Sequence, residues 1–377
     1  MNRRQFLRQG TSVAMVLGGL GGLTACSKDL RSDLMGPDKV SEMGTNERRL
    51  RSLDVRSQKI LYYASLAPSG HNSQPWRVRV VSPDHWVIES DKTRWLPVVD
   101  PENREVLLSI GAFLENLAQA ASALGVAVES QVVATGRFDK DVVRLKLSPA
   151  KPLSIPLERL VLRRTLKTGL QTKVLAKKDL KVFESMADSG LYYFPQESKH
   201  AEFMAEAALE NFRHQFDNMA AMVEAAEWTR LSKEDARKYR DGLTPEGMEI
   251  QGVAGWFVRY FMEPEDVTKE TWRKKAVEKV AVQVREGGGW LVITSEGNRV
   301  ADLIESGRRF QRMALLAREL GIGIHPMTQT LEEDHGQAAI RANHDSTMIP
   351  QFMLRVGYAS DYPAPVSLRR PVSWFVS

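Results

Sequence analysis

The segment from Ala67 to Trp76 reads Ala-Pro-Ser-Gly-His-Asn-Ser-Gln-Pro-Trp. Ser69, Asn72 and Gln74 bring a hydroxyl and two carboxamides into one short loop, while Pro68, Gly70 and Pro75 fix its path. With no charge and no nucleophile–base pair, the loop suits hydrogen bonding to a flat, amide-rich heterocycle better than bond cleavage. A capped turn closing a hairpin or a sheet edge would use the same residues. In Leu160–Thr168, apolar residues give way to Arg163, Arg164 and Thr165. Two guanidinium forks beside a hydroxyl can face a phosphate, although a solvated helix end would look the same. A second arginine pair, Arg369-Arg370, lies in the Pro-stiffened tail Pro363–Pro371. Thr328 and Gln329 close the run His325-Pro326-Met327-Thr328-Gln329.

These groups need elements to position them. An amphipathic helix over about Val55–Ser65 delivers the loop, and a strand over Arg77–Val81 receives it. Further on, the chain repeats itself. Ser109–Val128 and Glu305–Ile324 align with Gly111 on Gly307, which matches Leu117 with Met313, Ala121 with Ala317, Leu124 with Leu320 and Gly125 with Gly321. Each copy predicts a helix ending in Leu-Gly and then an extended apolar run. Each also follows an apolar strand, His85–Glu89 in one case and Trp290–Thr294 in the other, and the repetition points to duplication. Lys199–Arg285 breaks the pattern. It is charged and helical in composition, interrupted by glycines and prolines, and carries the aromatic run Gly255–Met262. Such an insertion suits an active-site lid or an ordinary helical subdomain core. Gly287-Gly288-Gly289 precedes a strand instead of opening a helix, so it does not read as a phosphate loop.

Composition narrows the classes. The chain has 377 residues, enough for one large domain or two ordinary ones, with 43% hydrophobic and 26% charged residues. Those are soluble-globular values, not those of a disordered chain or a polytopic membrane protein. The formal charge of +5 is scattered, so no nucleic-acid surface is expected. A single cysteine, Cys26, excludes an internal disulfide and Cys-rich metal sites, and the seven histidines show no ligand spacing. No metal is expected.

The N-terminus reads as an address. Met1–Gly10 holds Arg3, Arg4 and Arg8 and no acid, and Thr11–Ala25 is apolar and Gly-rich. This is the order of an export signal, and the apolar run is shorter than the roughly 20 residues of a spanning helix. Arg3-Arg4-Gln5-Phe6-Leu7 resembles a twin-arginine signal, which implies export of a folded protein through that machinery. Leu23-Thr24-Ala25-Cys26 resembles a bacterial lipobox, which implies lipidation of Cys26 and a lipid-anchored protein on the periplasmic face of an envelope membrane. Residues 1–25 are thus expected to be a signal peptide and residues 26–51 a flexible tether.

Together, the PSGHNSQPW loop, the Arg163-Arg164-Thr165 segment, the helix ending in LGIGIHPMTQ and the tail ending in SLRRP resemble the nitroreductase family, and within it the fused, single-chain Acg-like branch of FMN-binding oxidoreductases. The likeness covers most of Val55–Pro371, least of all the insertion. It implies an α+β fold in which two fused, degenerate halves, 52–150 and 151–377, mimic the family homodimer, with a helical insertion or lid at 199–285. Only the first half has the loop and only the second has the arginine–hydroxyl segment, so one FMN per chain is expected. The resemblance puts Ser69, Gly70 and Asn72 beside the flavin, with Gln74 and Trp76 supporting the loop. It gives Arg163, Arg164 and Thr165 the phosphate and ribityl oxygens, Arg369 or Arg370 a second phosphate clamp, and Thr328 and Gln329 places near flavin N5 and O4. The flavin carries the chemistry, so no catalytic side chain is expected. The implied activity is ping-pong hydride transfer from NAD(P)H or another donor, through FMN, to a nitroaromatic, quinone or similar flat acceptor. A flavin-binding storage or sequestration protein would need the same residues.

Overall fold

The structure, a computed structural model, describes residues 30–37, 53–187, 190–250, 252–332, 334–344 and 349–377. The arginine pair at 3–4, the apolar run and Cys26 lie outside the described residues. In chain order the helices are α1 Leu30–Leu34, α2 Val55–Ser65, α3 Arg104–Ala123, α4 Glu158–Leu162, α5 Lys177–Ala187, α6 Lys199–Asp217, α7 Met219–Glu227, α8 Lys233–Tyr239, α9 Gly252–Phe261, α10 Glu270–Gln283, α11 Val300–Ala317, α12 Asp334–His344 and α13 Val372–Phe375. The strands are β1 Trp76–Ser82, β2 His85–Ser90, β3 Val126–Val132, β4 Asp141–Pro149, β5 Leu191–Pro195, β6 Gly289–Ser295, β7 Ile322–Pro326 and β8 Ile349–Tyr358.

They form two four-stranded antiparallel sheets, β1-β2-β4-β3 and β5-β6-β8-β7. The order is the same in both, and in both a long helix joins the second strand to the third. The fold is therefore α+β and internally repeated. The insertion enters between β5 and β6, where the first sheet has only the short β1–β2 turn.

The long helices α3 and α11 meet at the seam. A Cβ on Gly111 would fall 2.1 Å from the Ile304 carbonyl oxygen, and one on Gly307 would fall 2.1 Å from the Leu108 carbonyl oxygen. The aligned glycines thus make a reciprocal contact, as paired residues do across a two-fold axis. α3 is long and apolar enough to cross a membrane by length and composition, yet most of it is buried within the protein. It is the central core helix.

The two sheets bury their faces differently. Leu291 and Ile293 of β6 point into the main core with α3 and α11, while Trp290 and Val292 join Met204, Ala208 and Val280 of the insertion. The insertion therefore covers the second sheet, whose strand β6 is buried throughout. On the first sheet, Arg79 of β1 instead pairs with Glu89 of β2 at 2.6 Å and Asp141 of β4 at 2.5 Å. Its outer face is polar. The tail after β8 crosses to the first half, where Val80 N–H donates to the Ser377 carbonyl and Ser377 N–H to the Val78 carbonyl, both at 2.9 Å. This joins the tail to the open edge of β1.

One expectation needs correcting. Residues 30–37, assigned to a flexible tether, are docked: Met35 packs against the main core, and Arg31 Nη2 donates to the Val161 carbonyl at 3.2 Å. The helical turn α1 gives this stretch enough local structure to present Arg31 and Met35 together.

Gly111→Ala should lower stability by about 1–3 kcal/mol, because backbone on the facing helix must move. Gly307→Ala should do the same. Urea unfolding of each variant measures it, and a loss below about 0.5 kcal/mol would mean the helices separate freely there.

Candidate functional site

The loop leaving α2 follows a path few side chains adopt. His71, Asn72 and Gln74 have φ of +48°, +54° and +55°. Left-handed backbone at such residues costs on the order of 1 kcal/mol each, so neighbouring structure must impose it. The tail does much of this. Arg370 N–H donates to Gln74 Oε1 at 2.8 Å, and its guanidinium donates to the Gln74 and Trp76 carbonyls. Arg369 donates to the Leu66 and Ala67 carbonyls at 3.2 Å each and to Asn72 Oδ1 at 2.9 Å. The insertion supplies the rest: Gln74 Nε2 donates to the Arg240 carbonyl at 3.0 Å, and Asn72 Nδ2 to the Gly242 carbonyl at 3.3 Å. Within the loop, Ser69 Oγ accepts from Gln74 N–H at 2.9 Å. Trp76 is fully buried, its ring 4.9 Å from that of Phe113.

Arg369 and Arg370, expected as a second phosphate clamp, instead join Asn72 and Gln74 in hydrogen bonds that lock the loop. Arg370 also lies 3.7 Å from Asp91.

One side of the loop faces cations. Arg163 is buried, its Nη1 donates to Thr165 Oγ1 at 3.5 Å, and its Nε has no partner. Among the described residues no carboxylate pairs with it. Burial, and the charge of Arg31, bring its pKa down to about 10. Arg369 is held well below the usual guanidinium range by burial and by Arg31 and Arg163. Arg164 differs from its neighbour. It donates to the Ala364 carbonyl at 2.6 Å and pairs at 3.3 Å with Glu249, both side chains buried. Lys167 completes the cluster, its pKa lowered by burial and by Lys279 and Arg164. Its charge and, above all, burial push half-buried His71 down to about 4, so that ring is neutral at pH 7.

The other side faces carboxyl groups. A Cβ on Gly70 would lie 3.0 Å from Glu105 Oε2, and Thr328 Oγ1 donates to Glu105 Oε1 at 2.7 Å. Gln329 turns away, its Nε2 donating to the Ala208 carbonyl at 3.3 Å. Glu332 is raised well above the ordinary carboxylate range by burial and then by Glu105. Burial and Glu105 push Asp100 up to about 7.

The loop thus has basic side chains toward one side and carboxyl groups toward the other. The first can hold a dianion such as a phosphate monoester. On the second, burial favours the protonated form of Glu332 and Asp100. Sequence reasoning missed Lys167, Glu105, Asp100, Glu332 and the carbonyls of Arg240 and Gly242. Lys167 stood within the arginine segment, two residues past Thr165; the others carry no local signal.

Asp100 gives a pH dependence. Its folded-state pKa of about 7 exceeds the ordinary 3.8, so its contribution to stability is complete below 3.8 and lost as pH rises through about 7. Asp100→Asn cannot ionise, and its amide oxygen can still accept from Val106 N–H, a bond of 3.0 Å in the parent. The variant's melting temperature relative to the parent should climb between pH 4 and pH 8. A constant difference across that range would contradict the assignment.

No protein-family model matches the chain. A Serratia protein named "Probable NAD(P)H nitroreductase PigM" is 22% identical over 331 residues, 82% of this chain and 90% of that protein. Two Mycobacterium tuberculosis proteins named as NAD(P)H nitroreductases are similar as well. Acg is 25% identical over 82% of this chain and 91% of its own length, and Rv3131 is 26% identical over 84% and 90%. Among solved structures, the FMN-dependent nitroreductase NfnB from Mycobacterium smegmatis, in complex with NADPH, matches with a TM-score of 0.34 and 15% identity over 57% of this chain and 91% of that one. Along 82–84% of its length, then, the chain is related in sequence to proteins named NAD(P)H nitroreductases.

Proposed function

We propose that this protein is an FMN-dependent oxidoreductase of nitroreductase type, in the fused Acg-like branch. The observation that carries the reading is a cluster of cations: buried Arg163 and Arg369 gather beside an amide-rich loop, with half-buried Lys167 next to Glu249, and Arg163 keeps a buried Nε without a partner. Buried cations in this number call for an anion, and FMN offers a phosphate together with a flat, amide-rich ring.

When bound, FMN supplies two-electron hydride exchange between a donor such as NAD(P)H and a nitroaromatic, quinone or similar flat acceptor. The chain's own residues bind and orient it. Arg163 and Thr165 take the phosphate and ribityl oxygens, and Lys167 provides positive charge near the loop. Ser69, Gly70 and the backbone around Asn72 meet the ring, with Gln74, Arg369 and Arg370 holding that backbone in place. On the acidic side, Thr328 and Glu105 can hold or move a proton, and Gln329 acts through its neighbours.

The halves divide near 150, and together they make one composite site and one FMN per chain. Residues 1–25 are a twin-arginine signal, Cys26 is lipidated, and the protein works anchored at the periplasmic face of an envelope membrane. Outside the cytoplasm NAD(P)H is scarce, so the working donor there is another reductant.

The purified protein should be yellow, with a flavin band near 450 nm that bleaches when NAD(P)H is added anaerobically. Flavin that stays oxidised would favour the storage reading; a colourless preparation that takes up no FMN would end both. Arg163→Ala should weaken FMN binding by about 1.5–3 kcal/mol. Arg164→Ala should cost mainly folding stability, by leaving Glu249 buried and unpaired. Fluorescence titration with FMN and urea unfolding separate these outcomes, and equal loss of FMN affinity in both would return Arg164 to the phosphate.

A further inference from the structure

The stretch Leu30–Pro37 touches three of the segments from which the candidate site is assembled. Arg31 donates through Nη1 to the Ser367 carbonyl, two residues before Arg369, at 2.5 Å, and through Nη2 to the Val161 carbonyl, two residues before Arg163, at 3.2 Å. The Leu34 carbonyl accepts from Arg240 Nη1 at 3.2 Å, and the carbonyl of Arg240 itself holds Gln74. Leu34 and Met35 wall a small cleft with Tyr62, Ser65, Arg240 and Arg369. One short segment thus bridges the arginine segment, the tail and the insertion.

Its charge is the informative part. Arg31 lowers the pKa of both Arg163 and Arg369, so its guanidinium sits near enough to oppose theirs. Among these three cations, the approach of Arg31 to Arg163 and Arg369 is electrostatically opposed. With a dianion there, the same approach is favoured. Docking of this segment and binding of the anion must then strengthen each other equally, because linkage is reciprocal.

We propose that Leu30–Pro37 is a strap whose Arg31 is a positioning residue for the phosphate end of the flavin, so that loading FMN fastens the strap and the fastened strap retains FMN. The proposal rests on the flavin reading given above. Riboflavin has the same ring but no phosphate, and it separates this role from general support of the fold.

In the full-length protein, Arg31→Gln should raise the Kd for FMN about 10-fold and leave that for riboflavin within about 2-fold, an order of magnitude set by one charge pair at partly buried range. Arg31→Lys should recover part of the loss. FMN should also slow tryptic cleavage within residues 31–37 of the parent, and riboflavin should not. Equal weakening of both ligands would make Arg31 a structural residue only and overturn the proposal. So would an unchanged FMN Kd in Arg31→Gln when the parent binds FMN. A parent that binds no FMN would overturn the flavin reading and the strap together.

Discussion

Backbone contact between two helices sets the rest of this structure. Gly111 and Gly307 let α3 and α11 approach until the facing carbonyl occupies the place of a side chain, and they do so reciprocally. Helices normally pack 8–10 Å apart, kept there by their side chains. Removing the side chain at the crossing brings the two helices together, and a single apolar core then runs through both halves. The seam also explains the tail. The last residues of the second half reach the open edge of β1 in the first, so the first half is completed by the second. Fusion frees the copies to diverge. One keeps a tight β1–β2 turn, while the other opens the equivalent turn into a helical insertion that covers its own sheet.

Three distant segments meet at the loop of the candidate site. Arg163 and Lys167 follow α4, Arg369 comes with the tail, and the Arg240 carbonyl comes with the insertion. Gathering cations in a shielded place is unfavourable: at an effective dielectric of about 20, two charges roughly 8 Å apart repel by about 2 kcal/mol. The protein meets part of this with Glu249, which takes Arg164, the Lys167 N–H and the Thr168 hydroxyl. Arg163 gets no such partner among the described residues. Under the proposed function, that difference separates a structural cation, Arg164, from a binding one, Arg163.

What the sequence revealed and what it hid follow from this arrangement. The alignment of Gly111 with Gly307, the strands before each long helix and the loop between α2 and β1 are local patterns, and local spacing found them. The arginine pairs were visible as residue types, but their division of labour was not. Arg163 and Arg164 are adjacent, and only the position of Glu249, 85 residues away, separates them. Asn72 and Gln74 looked like ligand contacts because their carboxamides are chemically suited to it. Their actual partners, the Gly242 and Arg240 carbonyls, belong to main chain, which carries no sequence signal. The docking of residues 30–37 was hidden for the opposite reason. A polar, charged stretch reads as a tether unless the carbonyls that receive its arginine are already known.

Chain order adds a constraint of its own. The loop at residues 67–76 is held in left-handed backbone by Arg369 and Arg370, close to the last residue of the chain. The loop therefore takes its shape only once residues 369–370 have docked on residues 66–76. A cofactor that binds there must be loaded after folding is complete. If it is flavin, loading belongs in the compartment where flavin is made, and only a folded protein can then be exported. A twin-arginine route satisfies that order, and an unfolded-chain route does not. The proposed address and the proposed site thus rest on one physical requirement, that residues 66–76 and 369–370 meet before the ligand arrives.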